Sequence, residues 1–256
     1  MRFSKIGMLI ITVMSIVVGI VLVTNYSQLV TNEIEIDVQE KTARIEYFGK
    51  YGDLTKWTRP KGPLRVGLQV GHWKSAELPD ELARLRNNTG AASKLVAEWE
   101  LNLSIAQETK ALLEIQGIIV DLIPATIPPG YIADAFVSIH ADGSTDPETT
   151  GFKVASPRRD LTNRAHQLAS SIEKEYSAGT NLTIDPNITR NMTGYYAFSW
   201  RRYEHSIHPM TPAAILETGF LTNSKEARFL INNPDIPAQA LANALIIFLK
   251  PNGNST

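Results

Sequence analysis

Apolar and polar positions alternate along this chain in a strand, helix, strand rhythm. Arg65–Val70 is a short apolar-biased run stopped by Gly71 and predicts a strand. From Glu98 to Gln116 the period changes to that of a helix, with Leu101, Ile105, Leu112 and Ile115 assigned to one face and Gly117 placed to cap its end. Ile118–Ile123 then predicts a second strand, ended by Pro124. Ala135–Ile139 and Phe152–Ala155 predict a third and a fourth, and Ala213–Leu216 another buried one. Between the last two, Leu161, Ala165, Leu168, Ala169, Ile172 and Tyr176 predict an amphipathic helix. Asn223 is placed to cap a short helix over 225–231, and a final helix is predicted from Pro237 to Lys250. Strands alternating with helices in this way predict a single α/β domain with a mostly parallel sheet.

The ends of the chain read differently. Arg2 and Lys5 precede an uncharged run, Ile6 to Val23, about 18 residues or ~27 Å as a helix, enough to span a bilayer. No polar face interrupts it, and Val23-Thr24-Asn25-Tyr26 is a poor signal-peptidase site, so residues 1–23 are expected to be an uncleaved transmembrane anchor; a cleaved signal segment is the alternative. Residues 24–63 read as a stalk ending in the turn-rich Trp57–Pro63, with short alternating stretches at Glu33–Val38 and Ala43–Tyr47. The globular unit is expected over 64–250, with 251–256 as a tail. The basic residues before the run favour a cytoplasmic N-terminus and a domain outside the cytoplasm.

Composition narrows the chemistry. The 256 residues carry a formal net charge of -1 and no cysteine. Thiolate catalysis, disulfides and cysteine-ligated zinc are excluded, and no basic excess points to nucleic acid. Gly-x-Ser-x-Gly is absent, and Ser138 points to the opposite face from its immediate strand neighbours.

What remains is a scattered set. The first strand leads to His72, the third to His140 and the strand at Ala213–Leu216 to Glu217. Glu98 and its rival Glu100 open the first helix. Taken singly, each has a plain structural explanation: a hydrogen-bonded loop histidine, an acid favoured by the helix dipole, a buried ion pair. Together they would converge outside the carboxyl edge of an open sheet, where α/β proteins place their sites. Two imidazoles and a carboxylate can hold zinc, and a second carboxylate can act as base. His166 lies off its helix's apolar stripe and is expected in solvent. Arg201, Arg202 and His205, just before the Glu217 strand, are candidates for a substrate wall that meets a carboxylate.

Four segments resemble the zinc-dependent type-3 N-acetylmuramoyl-L-alanine amidases: Val70-Gly71-His72, Glu98 to Ala106, Phe136 to Asp142, and Ile215 to Asn223. The resemblance covers about Leu64 to Leu249. It implies a roughly six-stranded sheet flanked by helices, with one Zn²⁺ held by His72, Glu98 and His140, and Glu217 as the catalytic acid-base. It also implies the reaction: hydrolysis of the amide between N-acetylmuramic acid and L-alanine in peptidoglycan. In one place the chain departs from the family's Gly-His-Gly-Gly, because Trp73 and Lys74 follow His72. The alternatives are a wall-binding or regulatory domain without catalysis and a zinc peptidase acting inside the stem peptide. A protein activator stays open.

Overall fold

The computed structural model describes residues 21–29, 31–32, 50–91 and 94–250. The chain divides into two units, Met1–Trp57 and Thr58–Thr256. In the first, residues 21–29 and 31–32 are helical and Leu54–Lys56 forms a 3-10 turn capped by the Asp53 side chain. No helix among the described residues is long and apolar enough to cross a membrane. The uncharged run Ile6–Val23 falls outside them except for its last three residues, as do the alternating stretches at 33–38 and 43–47 and the tail at 251–256.

The second unit is built on five strands: β1 (Arg65–Val70), β2 (Ile119–Ile123), β3 (Ala135–Asp142), β4 (Lys153–Ala155) and β5 (Ala213–Phe220). Their order is β2-β1-β3-β5-β4, parallel throughout except for β4, which runs antiparallel to β5 at the edge. All five are legible as apolar runs in the sequence. The roughly six strands implied by family resemblance are corrected to five among the described residues.

Among the described residues five helices accompany the sheet: α1 (Glu98–Ile115), α2 (Ala165–Thr180), the one-turn α3 (Arg190–Thr193), α4 (Ser224–Asn232) and α5 (Asp235–Leu249). The sheet's two faces are covered unequally. Val66, Leu68, Val70, Val137, Ile139, Ala214 and Leu216 point to one face and pack against α1, α2, α4 and α5. Phe136, Ala155, Ala213 and Ile215 point to the other, which is covered by Leu78, Leu82, Tyr196, Phe198, Tyr203 and Ile207 from loops and 3-10 turns. Period-two alternation therefore sorts every strand residue onto a helix face or a loop face.

Two sequence expectations are corrected here. Ile115 is 80% exposed, although it was placed on the buried stripe of α1. At roughly 100° per residue, the buried positions Glu98, Leu101, Asn102, Ile105, Ala106, Thr109 and Leu113 centre near Thr109, and Ile115 lies about 120° away. Leu161 is also exposed, because α2 begins only at Ala165 after Asp160 has accepted the Thr162 and Ala165 amides. The α1 terminus behaves as read: the Gly117 amide donates to Glu114 and the Ile118 amide to Leu113, closing a Schellman turn. Asn223 caps α4 by accepting the Lys225 and Glu226 amides.

Candidate metal centre and catalytic carboxylate

The loop face carries the candidate site residues. Gln69, Ser138, His140 and Glu217 all point to it from their strands, because they share parity with Phe136 and Ile215. His140 lies opposite Glu217 in the β3–β5 register. Just beyond that pair β5 carries one extra residue, since Asp142 pairs with Phe220. Such a bulge bends a strand beside a site and re-aims its side chains. Both residues sit within their strands, not beyond them as the sequence suggested: β3 runs two residues past His140 and β5 three past Glu217.

Helical phase explains the choice between Glu98 and Glu100. Glu98 falls on the buried stripe of α1 and is 1% exposed. Glu100 faces away, and its carboxylate accepts the Ala97 amide at 2.9 Å, completing the helix start.

His72 Nε2, Glu98 Oε1 and His140 Nδ1 converge. Glu98 Oε1 lies 3.1 Å from His140 Nδ1 and 3.5 Å from His72 Nε2. The donor atoms of the three residues all fall within 4.8 Å of one another. Tetrahedral coordination with bonds of ~2.0–2.1 Å separates its ligand atoms by about 3.3 Å, so the spacing fits one small cation. The surrounding hydrogen bonds fit it too. His72 Nδ1 donates to the Asn88 carbonyl at 2.9 Å, which leaves the lone pair on Nε2. His140 Nε2 meets the Tyr195 hydroxyl at 3.0 Å, and that hydroxyl donates to Gln69 Oε1 at 3.2 Å. With the hydroxyl proton so engaged, Nε2 carries the hydrogen and the His140 lone pair falls on Nδ1. Gln69 is itself fixed by Ser138 Oγ. Glu98 is held by the amides of Ala91 and Ala141 and by Asn102 Nδ2.

The electrostatics follow. Burial pushes Glu98 up, yet the hydrogen bond and charge of His140, the charge of His72 and the Ala91 amide bring it down to about 2. His140 is raised well above its ordinary value: burial opposes its charge, and Tyr195, Glu98 and Glu217 together overcome that. His72 is lowered by burial and by the neighbouring His140. Glu217 rises to about 7, chiefly through burial, with Glu98 and Asp142 adding to the rise against the positive pull of His140 and Lys153. Lys153 pairs in register with Glu217 and is itself neutralised by Asp142 and, at 3.2 Å, by Asp185.

Backbone geometry is unusual here. His72 has φ +62° and Lys74 φ +58°, both in the left-handed region. Non-glycine residues take this region at a cost of ~1 kcal/mol or more each. Lys74 stands at one of the positions where the family resemblance implies glycine, and adopts a glycine-like conformation there. The Trp73 carbonyl, accepting the Ala125 amide at 2.8 Å, helps hold the turn.

The other candidates lie elsewhere. His166 is exposed, as read. His205 is turned to Glu81, whose carboxylate meets its Nδ1 at 2.9 Å and accepts its amide. Arg201 and Arg202 stack on Trp200 and Tyr203. None of the three lines the cleft of about 220 Å³ onto which His72, His140 and Tyr195 open. Sequence reasoning assigned no role to Tyr195, Gln69, Asn102 or Asn88; the one signal available was the aromatic segment Gly194–Phe198.

A mostly parallel sheet with helices on one face, whose carboxyl edge gathers two histidines and an acid that could hold a metal ion, defines an α/β protein with a candidate metal site. More particularly, the family model for N-acetylmuramoyl-L-alanine amidases matches residues 68–246, and the chain belongs to that family. It is an amide hydrolase of peptidoglycan. Solved structures share the fold. The catalytic domain of CwlV from Bacillus (Paenibacillus) polymyxa is 21% identical with a TM-score of 0.50, covering 73% of this chain and 98% of that one. Ami1 from Mycobacterium smegmatis is 16% identical with a TM-score of 0.55, covering 76% and 100%. CwlD from Clostridioides difficile, in complex with the GerS lipoprotein, is 19% identical with a TM-score of 0.54, covering 74% and 100%. No curated protein matches by sequence.

Proposed function

We propose that the protein is a one-zinc amidase in which His72, Glu98 and His140 hold the ion and Glu217 is the acid-base. The observation that carries this reading is the convergence of three donor atoms whose tautomers leave both imidazole lone pairs facing Glu98. Nitrogen and carboxylate donors with no sulfur suit zinc. When bound, the ion supplies Lewis-acid polarisation of the scissile carbonyl and lowers the pKa of water. The remaining steps belong to the chain. Glu217 takes a proton from the attacking water as the new C–O bond forms at the lactyl carbonyl. It returns that proton to the L-alanine nitrogen as the C–N bond breaks. A carboxyl held near pH 7 by burial suits both transfers. Tyr195 keeps the His140 ring in place throughout.

We propose further that Ile6–Val23 anchors the chain in the bacterial membrane with the amidase domain outside the cytoplasm. The uncharged length of that run and the basic residues before it support the orientation.

Digestion of purified peptidoglycan with the zinc-loaded protein, followed by mass spectrometry, tests the reaction. Intact stem peptides beginning with L-alanine are expected, together with peptide-free glycan. Fragments cut within the stem would make the protein a peptidase, and unchanged glycan would make it a binding domain.

A further inference from the structure

A second cavity, of about 590 Å³, shares Gly194 with the cleft of His72 and His140. Arg158, Arg159, Arg190, Arg201 and Arg202 line it, and no Asp or Glu does. These are five of thirteen arginines in a chain whose net charge is -1. They come from three stretches: the loop after β4, the start of α3 and the turn following Phe198. The fold brings the stretches together, with the Arg158 amide donating to the Thr193 carbonyl at 2.9 Å. Two guanidiniums are held in place, Arg201 over the Trp200 ring at 5.0 Å and Arg202 over the Tyr203 ring at 5.2 Å. Both rings belong to buried residues.

Like charges gathered around one concavity favour an anion there. Guanidinium forks match carboxylates in pairs of parallel hydrogen bonds. The position of the cavity selects the anion. Gly194 lines both hollows, and the next residue, Tyr195, touches His140. A peptide whose first nitrogen lies at the scissile bond extends ~3.3–3.6 Å per residue. Its second and later residues, which in a peptidoglycan stem carry free carboxyl groups, can extend toward a cavity that shares a lining residue with the cleft.

We propose that this cavity takes the free carboxylates of the leaving stem peptide, so that masking a carboxyl as a carboxamide weakens the substrate. The proposal rests on the amidase reading and adds a specificity determinant to it.

The test compares two N-acetylmuramoyl peptides that differ only in the α-carboxyl of the second residue, free in one and amidated in the other. Wild-type protein is expected to prefer the free acid at least tenfold in kcat/KM, with the preference shrinking as salt rises. The Arg158→Gln/Arg201→Gln double variant is expected to raise KM for the free acid about tenfold, leave kcat within twofold and lose the preference. Arg158→Lys/Arg201→Lys is expected to recover part of it, which a merely structural role would not produce. Equal cleavage of both substrates by wild type overturns the proposal, as does an unchanged preference in the Gln variant. Arginine-dependent binding of a phosphodiester wall polymer without peptide discrimination overturns it too. If wild type cleaves neither peptide, the amidase reading itself falls.

Discussion

The Tyr195 hydroxyl sits 3.0 Å from His140 Nε2 and decides which nitrogen of that imidazole carries the lone pair. Because the hydroxyl donates onward to Gln69, it accepts from His140, and Nδ1 is left facing Glu98. Tyr195→Phe removes the acceptor and frees the ring to flip or change tautomer. Loss of such an outer partner costs ~10–100-fold in metal affinity. Zinc titration against a competing chelator is expected to show that loss, with an unchanged melting temperature in the metal-free protein. Unchanged affinity would mean that the ring is held by packing alone.

Gly90 supports Glu98 by having no side chain. It lies at φ +84°, and a Cβ there would stand 2.1 Å from Glu98 Oε2 and 2.7 Å from His72 Cδ2. Glu98 is buried and His72 partly so, and neither can yield without moving a residue of the donor set. Gly90→Ala is expected to lower zinc content to below a tenth of wild type in metal analysis and to remove activity. By contrast, Ile115→Ala, on the exposed side of α1, is expected to change stability by less than ~0.5 kcal/mol in denaturant unfolding.

The contrast between these residues shows what a sequence can and cannot reveal. His140 and Glu217 end recognisable apolar runs, and strand parity places them on one face. In the sequence only the family resemblance separates Glu98 from Glu100; helical phase does so in the structure, where burial of α1 centres on Thr109 and not on the Leu112–Ile115 side. Tyr195, Gln69 and Asn88 act through partners 55, 126 and 16 residues away. No local pattern encodes such pairings; they exist only after the loop face closes over the sheet. The arginine cavity is hidden for the same reason. Arg201 and Arg202 are visible as a pair, but Arg158, Arg159 and Arg190 join them only in three dimensions.

Glu217 gives the metal-free protein a pH dependence of known sign. Burial raises this carboxyl from an ordinary 4.5 to about 7 in the folded state. Between those values the folded protein binds more protons than the unfolded chain, so stability contributed by the neutral acid is present below about 4.5 and is lost as pH rises through 7. The full difference is ~3 kcal/mol at most, at about 1.4 kcal/mol per unit. Glu217→Gln removes the titration. Urea unfolding in chelator is expected to show the variant gaining on wild type from pH 5 to pH 8. Parallel curves would place the carboxyl in water. With zinc bound, the same variant is expected to keep its metal and lose ~10²–10⁴-fold in activity, the usual range for an acid-base group.

Zinc uptake is expected to release a proton. In the metal-free site His140 is raised well above its ordinary value because Tyr195, Glu98 and Glu217 favour its charged form against the cost of burial. The second proton then sits on Nδ1, facing Glu98 Oε1, the position a ligated cation would take over. Binding must therefore displace it, and affinity must fall as pH falls. Calorimetry in buffers of different ionisation enthalpy counts the protons. About one per ion is expected from His140 near neutrality, with a further fraction from Glu217, held at about 7, and none from Glu98, held down near 2 and already ionised. Replacing His140 by Ala should abolish both the release and the tight binding. Release of no proton at pH 7 would mean that His140 is neutral before the ion arrives and that Glu98 alone does not hold its charge.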